Sequence, residues 1–351
     1  MTAATVPTTR SGSTWDAADL QHAWDAMASA RHVLISTHIN TDGDGVSSAL
    51  VMAEIARVAN PAVQVTTIIP DGNMPATLDF VPGIETMMVY TGQSLPLDDV
   101  DLIIAPDVPE VRRFGKFYDD HAALFARVPT IIVDHHVARG EEQAIARFID
   151  TSVIAVQSLI YRLIGQWGVT ITPKMATLLL TGMVTDSGSF QRVEGNGAPT
   201  FRVVADLCDA GGDIALVMDG TRRRKMPGTV AAWGAILGHA TWAGPVLWTE
   251  FTPEMIAATG ANEVDGEGVI NWLVGTRGVV TAAIFYRNRE NEGWRVGLRS
   301  TTPKVDVSAF ARRYGGGGHV MASGCTFPGG LAERGVFLAA LVEYAEAGLQ
   351  A

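Results

Sequence analysis

At 351 residues the chain is long enough for one large domain or, more naturally, two. An apolar fraction of 47 % and a charged fraction of 18 % exclude a disordered polymer, and no apolar run reaches the ~18–20 residues that cross a bilayer. A formal net charge of −11 excludes an electrostatic grip on long duplex DNA, but not a short anionic substrate held by a local basic patch or by metal ions.

Residues 1–14 read as a flexible tail, without the charged-then-apolar design of a secretory signal. Four runs then read as buried strands: HVLIST (32–37), VQVTTII (63–69), DLIIAPD (101–107) and TIIVDHH (130–136). Their near-continuous Val and Ile suit parallel strands covered on both faces. The alanine-rich stretch at 46–59 reads as a packed helix, so 15–210 is expected to be an α/β domain with a mainly parallel sheet flanked by helices. Glycines, a basic run from Arg222 to Lys225 and Pro227 mark 211–235 as a linker. Residues 236–351 carry shorter strand-like runs (GPVLWTEF, VVTAAIFYR, GWRVGLRS) and a closing helix, a smaller α/β domain. Cys208 and Cys325 form no CxxC pair, which suits a reducing cytosol and a cytoplasmic protein.

Ligand-type residues cluster where strands end. His38, Asp42 and Asp44 follow the first, Asp107 closes the third, and Asp134, His135 and His136 close the fourth. Asp186 follows the apolar stretch LLLTGMVT. In an open α/β sheet, ligands bind beyond the carboxyl ends of the strands, so these segments can converge on one rim. Each alone also reads as a polar turn or a satisfied histidine. Together the aspartates would repel unless cations neutralise them, and carboxylates mixed with imidazoles suit manganese. Two such ions form an arrangement that splits phosphate esters through hydroxide attack. Separately, GGGGH (315–319) reads either as a linker or as backbone N–H groups that cradle a phosphate. Residues 270–320 hold eight Lys or Arg against three Asp or Glu, and of these Arg299 is singled out as a binding group.

HINTDGDG, APDVPEVRRFG, VDHHVA and GMVTDSGSF resemble the four ordered motifs of the DHH phosphoesterases, and VGLRSTTPKVDVSAFARRYGGGGHVMASG resembles their associated C-terminal domain. The resemblance covers about residues 30–330. The short two-domain plan is similar to nanoRNase/pAp phosphatase proteins and stand-alone cyclic di-AMP phosphodiesterases. RecJ exonucleases carry an added nucleic-acid-binding domain, and family II pyrophosphatases a different C-terminal domain.

The resemblance implies two Mn2+, with Mg2+ or Co2+ as substitutes. His38, Asp42 and Asp107 would hold one, and Asp44, His135 and Asp186 the other, with Asp107 bridging. It implies that Asp134 orients His135 and that His136 contacts the scissile phosphate. It also implies that Arg299, Ser300, Gly315, Gly316, Gly317, Gly318 and His319 bind the terminal phosphate or nucleotide. The expected protein is a homodimeric, manganese-dependent phosphodiesterase with no membrane and no long duplex DNA among its partners. It would convert short oligoribonucleotides and linear or cyclic dinucleotides (pApA, cyclic di-AMP) to mononucleotides, with pAp 3′-phosphatase activity as a sister reaction. The alternative is a non-catalytic nucleotide sensor, which should have lost a ligand; every ligand position here is filled. The chain departs from the pattern at Thr41, where relatives have proline, in TDSGSF, at Ser323 in place of alanine, and at Ile154–Gln157, where a Ser/Thr-Thr-x-Glu helix start is expected.

Overall fold

The computed structural model describes residues 15–350 except 71, 73, 75, 137–143, 192, 194–196, 224–225, 262–265, 267 and 288–292. The expected tail and part of the basic run lie outside the described residues. The chain forms two compact units, Met1–Arg224 and Lys225–Ala351. Among the described residues no helix is long and apolar enough to cross a membrane.

The first unit runs α1 (Ala17–Ser29), β1 (His32–Ser36), α2 (Gly43–Ala59), β2 (Gln64–Ile69), β3 (Met88–Val89), β4 (Leu102–Pro106), α3 (Lys116–Asp120), α4 (Ala122–Arg127), β5 (Thr130–Asp134) and β6 (Ala146–Ile149). It continues through α5 (Val156–Trp167), α6 (Pro173–Asp186), α7 (Ala198–Asp209) and α8 (Ile214–Met218). The strands form one sheet in the order β3-β2-β1-β4-β5-β6, every described pairing parallel. Alternate residues enter different cores. Val33, Ile35, Ile104 and Ile131 pack on one face with α2, α5 and α6, while Leu34, Ile103 and Ile132 join Phe114 and Phe117 on the other. Both faces are covered, which explains the unbroken Val/Ile runs. The order reverses between β1 and β4, the switch point at which such sheets open a crevice.

Helix α2 begins at Gly43, three residues ahead of the expected 46, because the Asp42 side chain caps it by accepting from the N–H groups of Asp44 (3.0 Å) and Gly45 (3.1 Å). Its first turn packs on α6 at close range. A methyl group on Gly43 would stand 2.5 Å from Thr185 Cγ2, and one on Gly182 only 2.3 Å from Asp44 Oδ1.

The second unit contains α9 (Pro227–Gly238), β7 (Thr241–Ala243), β8 (Val246–Phe251), α10 (Pro253–Thr259), α11 (Val269–Val274), β9 (Thr281–Arg287), β10 (Gly293–Ser300), α12 (Val307–Arg312), β11 (Gly317–His319), β12 (Ala322–Pro328) and α13 (Leu331–Gln350). Its sheet, ordered β11-β12-β10-β9-β8-β7, is antiparallel apart from the β8–β9 pair. One face packs Phe285, Trp294, Val296 and Leu298 against Phe310 and Phe337 of α12 and α13. The other packs Leu247, Ala282 and Ile284 against α9 and α11. The stretch 211–235 is not an open linker: it holds α8, a π-helical turn (Asp219–Arg223) and the start of α9, where Pro227 occupies the first turn.

Candidate metal centre

The carboxyl ends of β1, β4 and β5, the first turn of α2 and the last residue of α6 converge on one cluster of acids and imidazoles. Asp107 follows β4 with φ +59°, a left-handed conformation that aspartate tolerates better than most residues. Its N–H donates to Val133 O at 2.8 Å, which holds that turn against the end of β5. From there Asp107 Oδ2 lies 3.2 Å from His38 Nε2, and His38 Nε2 lies 4.0 Å from Asp42 Oδ1. On the other side His135 Nε2 is 3.4 Å from Asp186 Oδ2, 3.7 Å from Asp107 Oδ1 and 3.9 Å from Asp44 Oδ2.

Donor atoms of His38, Asp42 and Asp107 fall within 4.8 Å of one another. So do those of Asp44, His135 and Asp186, and those of Asp107, His135 and His136. The two groups expected from the sequence are thus brought together, and Asp107 stands in the first while its other oxygen faces His135 of the second.

The electrostatics of this cluster call for a cation. Asp44 and Asp107 are 1 % and 2 % exposed, yet Oδ1 of each has no hydrogen-bond partner. Burial, then the charges of Asp107, Asp186 and Asp42, hold the Asp44 carboxyl well above the usual carboxylate range, against a hydrogen bond from Val156 N–H. Burial and Asp42 do the same for Asp107, which His136 partly offsets. Asp186 ends α6, where the helix dipole adds further negative potential. Orphaned carboxylate oxygens beside neutralisable imidazoles fit divalent ions of the manganese class.

Each imidazole is oriented through its other nitrogen. His38 Nδ1 lies 2.8 Å from Ile39 O, and His135 Nδ1 lies 3.3 Å from Val153 O. The expected pairing of Asp134 with His135 is not found. Asp134 instead takes His136, accepting from its backbone N–H (3.0 Å) and lying 2.9 Å from its Nδ1. Successive residues at a strand end point to opposite sides, so Asp134 shares a side with His136 and not with His135. Burial pulls the His136 imidazole down, but the Asp134 hydrogen bond and the charges of Asp134 and Asp107 outweigh it and raise it above its ordinary value.

Sequence reasoning missed the support beneath Asp44. Val156 N–H, at the start of α5, donates to Asp44 Oδ2 at 2.9 Å. Fully buried Gln157 donates from Nε2 to Asp44 O (3.2 Å) and Ser47 Oγ (2.8 Å). The only signal was the departure at Ile154–Gln157, and an amide donor is what this departure supplies. Ile39 N–H likewise donates to Arg113 O at 2.9 Å, which fixes the loop between β1 and α2.

In the second unit, Arg299, Gly315 and Gly316 line a cavity of about 620 Å³, while Ser300, Gly317, Gly318 and His319 are not among its lining residues. Ser300 points to the opposite face of β10, where its hydroxyl donates to Thr302 O at 2.8 Å. The expected cradle of four glycine N–H groups is also reduced. Gly315 and Gly316 already donate to Arg312 O and Ala311 O, closing α12. Gly316 and Gly318 are required by packing, since a methyl group would stand 2.2 Å from Gly324 O and 2.6 Å from Ala322 O respectively.

Comparison with known proteins agrees with this organisation. Residues 32–183 match the DHH family N-terminal domain, and residues 254–347 match the DHHA1 domain. The bifunctional oligoribonuclease and PAP phosphatase NrnA of Thermus thermophilus is 28 % identical over 87 % of this chain and 90 % of its own length. A probable manganese-dependent inorganic pyrophosphatase of Streptococcus agalactiae is 25 % identical over 44 % of this chain and 48 % of its own. The fold matches the crystal structure of an exopolyphosphatase-related protein from Bacteroides fragilis with a TM-score of 0.87 at 22 % identity, over 97 % of this chain and 99 % of that one. With both domain models in order along one chain, and every residue of the acid–histidine cluster but Asp186 inside the first, the chain carries a DHH family N-terminal domain followed by a DHHA1 domain.

Proposed function

We propose that the protein is a divalent-metal-dependent hydrolase of short oligoribonucleotides and linear or cyclic dinucleotides, with pAp as a further substrate. The observation that carries this reading is the pair of donor triads, His38–Asp42–Asp107 and Asp44–His135–Asp186, around carboxylate oxygens that nothing else satisfies. Two manganese ions are the proposed occupants, and when bound they supply Lewis-acid polarisation of the phosphoryl group and a water of lowered pKa.

The chain's own groups do the rest. Asp107 lies between the triads and would be shared by them. His136, held at both its backbone and its ring by buried Asp134, keeps a proton available beside the cluster. That proton can neutralise a phosphate oxygen or pass to the leaving group. In the second unit Arg299 supplies a fixed cation for a terminal phosphate. Relatives named as oligoribonuclease and PAP phosphatase support this substrate class. A cytoplasmic homodimer is the proposed working form.

The test is initial hydrolysis rates of manganese-loaded protein on pApA, cyclic di-AMP and pAp. Turnover of pApA or pAp with little ring opening supports the reading in its RNA-end form. Faster opening of cyclic di-AMP moves it to second-messenger turnover. No turnover of any of the three overturns it.

A further inference from the structure

The cavity of the second unit has two ends, and the residues discussed so far account for one. Arg295, Gly297 and Arg299 share one face of β10 by strand alternation, with about 13 Å of strand between the arginines. Between them the floor is low on one side, where Gly297 lies directly across from Gly324 on β12, and apolar on the other, where Ile284 of β9 comes within 3.2 Å of the place a Gly297 Cβ would take. Helix α11 roofs part of this face through Ile270, which also lines the cavity.

At the end away from Arg299, Arg295 lies opposite Tyr286 of β9 and places its guanidinium carbon 4.0 Å from the ring centroid. The ring is fixed from behind. Its hydroxyl donates to Gly266 O at 3.3 Å, and its edge meets Phe251 at a centroid distance of 6.3 Å. The arginine is exposed, so a planar cation rests on a held aromatic ring while remaining reachable from solvent.

We propose that the Tyr286–Arg295 stack is a nucleobase platform. A base would lie over the glycine floor against the outer face of the Arg295 guanidinium, with its phosphate directed along β10 to Arg299. A guanidinium stacks on π-systems in a way that an ammonium does not, and stacking accepts any base because every base has a π-face. This inference rests on the nucleotide reading above and adds to it how the base is held.

Its test uses full-length, manganese-loaded protein with pApA and with an abasic analogue of pApA, which keeps the ribose phosphates but carries no base and no other π-system. Arg295→Ala is expected to lower kcat/KM on pApA about 10-fold, mainly through KM, and to leave the base-free substrate unchanged. Arg295→Lys should fail to rescue, and Tyr286→Leu, which removes the ring under the guanidinium, should reproduce the loss on pApA. Equal losses on both substrates, loss on neither, or full rescue by lysine would each overturn the platform. Should wild type cleave neither substrate, the hydrolase reading falls and calorimetry judges the platform alone. AMP binding about 10-fold tighter than ribose 5-phosphate, and Arg295→Ala erasing that difference, supports it; equal affinities overturn it.

Discussion

The two sheets gather polar chemistry in opposite ways. In the first unit the described strand pairs are parallel and the central strands β1, β4 and β5 are buried along their whole length, so charge there collects beyond the strand ends. His38, Asp107 and the Asp134–His136 segment all lie there. In the second unit the largely antiparallel sheet leaves part of one face uncovered, and the polar groups stand on that face at alternate positions: Arg295, Arg299 and Tyr286. Glycines follow the same division. Gly43 and Gly182 let helices close around a carboxylate, whereas Gly297 and Gly324 keep a sheet surface flat. A parallel sheet concentrates like charges and needs cations to do so; an open antiparallel face spaces its charges and can wait for a ligand.

The sharpest way to break this contrast is to remove charge from the strand-end cluster. Asp107→Asn should lower turnover of pApA on the order of 10³-fold while raising the melting temperature of the metal-free protein, because a buried acid loses its repulsion. Retained turnover would mean that the cluster is not the active centre.

Metal addition should show the same repulsion from the other side. Burial and neighbouring acids raise Asp44 and Asp107, so the folded chain holds more protons than the unfolded one above the ordinary carboxylate range. Metal-free stability therefore falls as pH rises through that window. Manganese at about 100 times its Kd should raise the melting temperature by about 5–10 °C near neutral pH. The gain should be smaller in mild acid, where protons already do part of the work, and a pH-independent gain would refute this account.

Steric tests are milder. Gly182→Ala should cost about 1–3 kcal/mol and weaken manganese binding, since the new methyl group displaces Asp44 or Gln157. Gly316→Ala should cost a similar amount by chemical denaturation but leave metal affinity unchanged. The smallest effect is expected at Gly317, where nothing lies within 4 Å of an added methyl group. Gly317→Ala should stay within about 0.5 kcal/mol of wild type, which would separate a glycine kept by the fold from one that the fold does not require.

The same contrast explains what could be read in advance. Strand-end motifs are contiguous in sequence, so HINTDGDG and VDHH announced the cluster and the sheet that bears it. The partner of Asp134 was misread because it depends on which side of β5 each residue leaves. Gln157 showed only as a departure from the expected pattern, and Gly182 not at all, because their role arises where α5 and α6 meet α2, more than a hundred positions away in sequence. The short strands β3, β6, β7 and β11 were missed, having too few residues to establish a period, and seven-residue β12 was missed because its small and polar residues (ASGCTFP) give no apolar run. Without β12, the register that pairs Gly297 with Gly324 had no basis, and neither did a low floor between two arginines. Ser300 fell on the wrong face because neighbouring residues of β10 point to opposite sides, so it cannot share Arg299's side.

The Asp42 cap ties the centre to a whole helix. One of its carboxylate oxygens accepts from the amides of Asp44 and Gly45, the first N–H groups of a 17-residue helix, while the side chain also stands in a donor triad. A cation drawing on that carboxylate weakens it as an acceptor, and the two amides feel the change first. Their deuterium uptake is therefore a gauge of occupancy written into the backbone of α2 and readable without following any reaction.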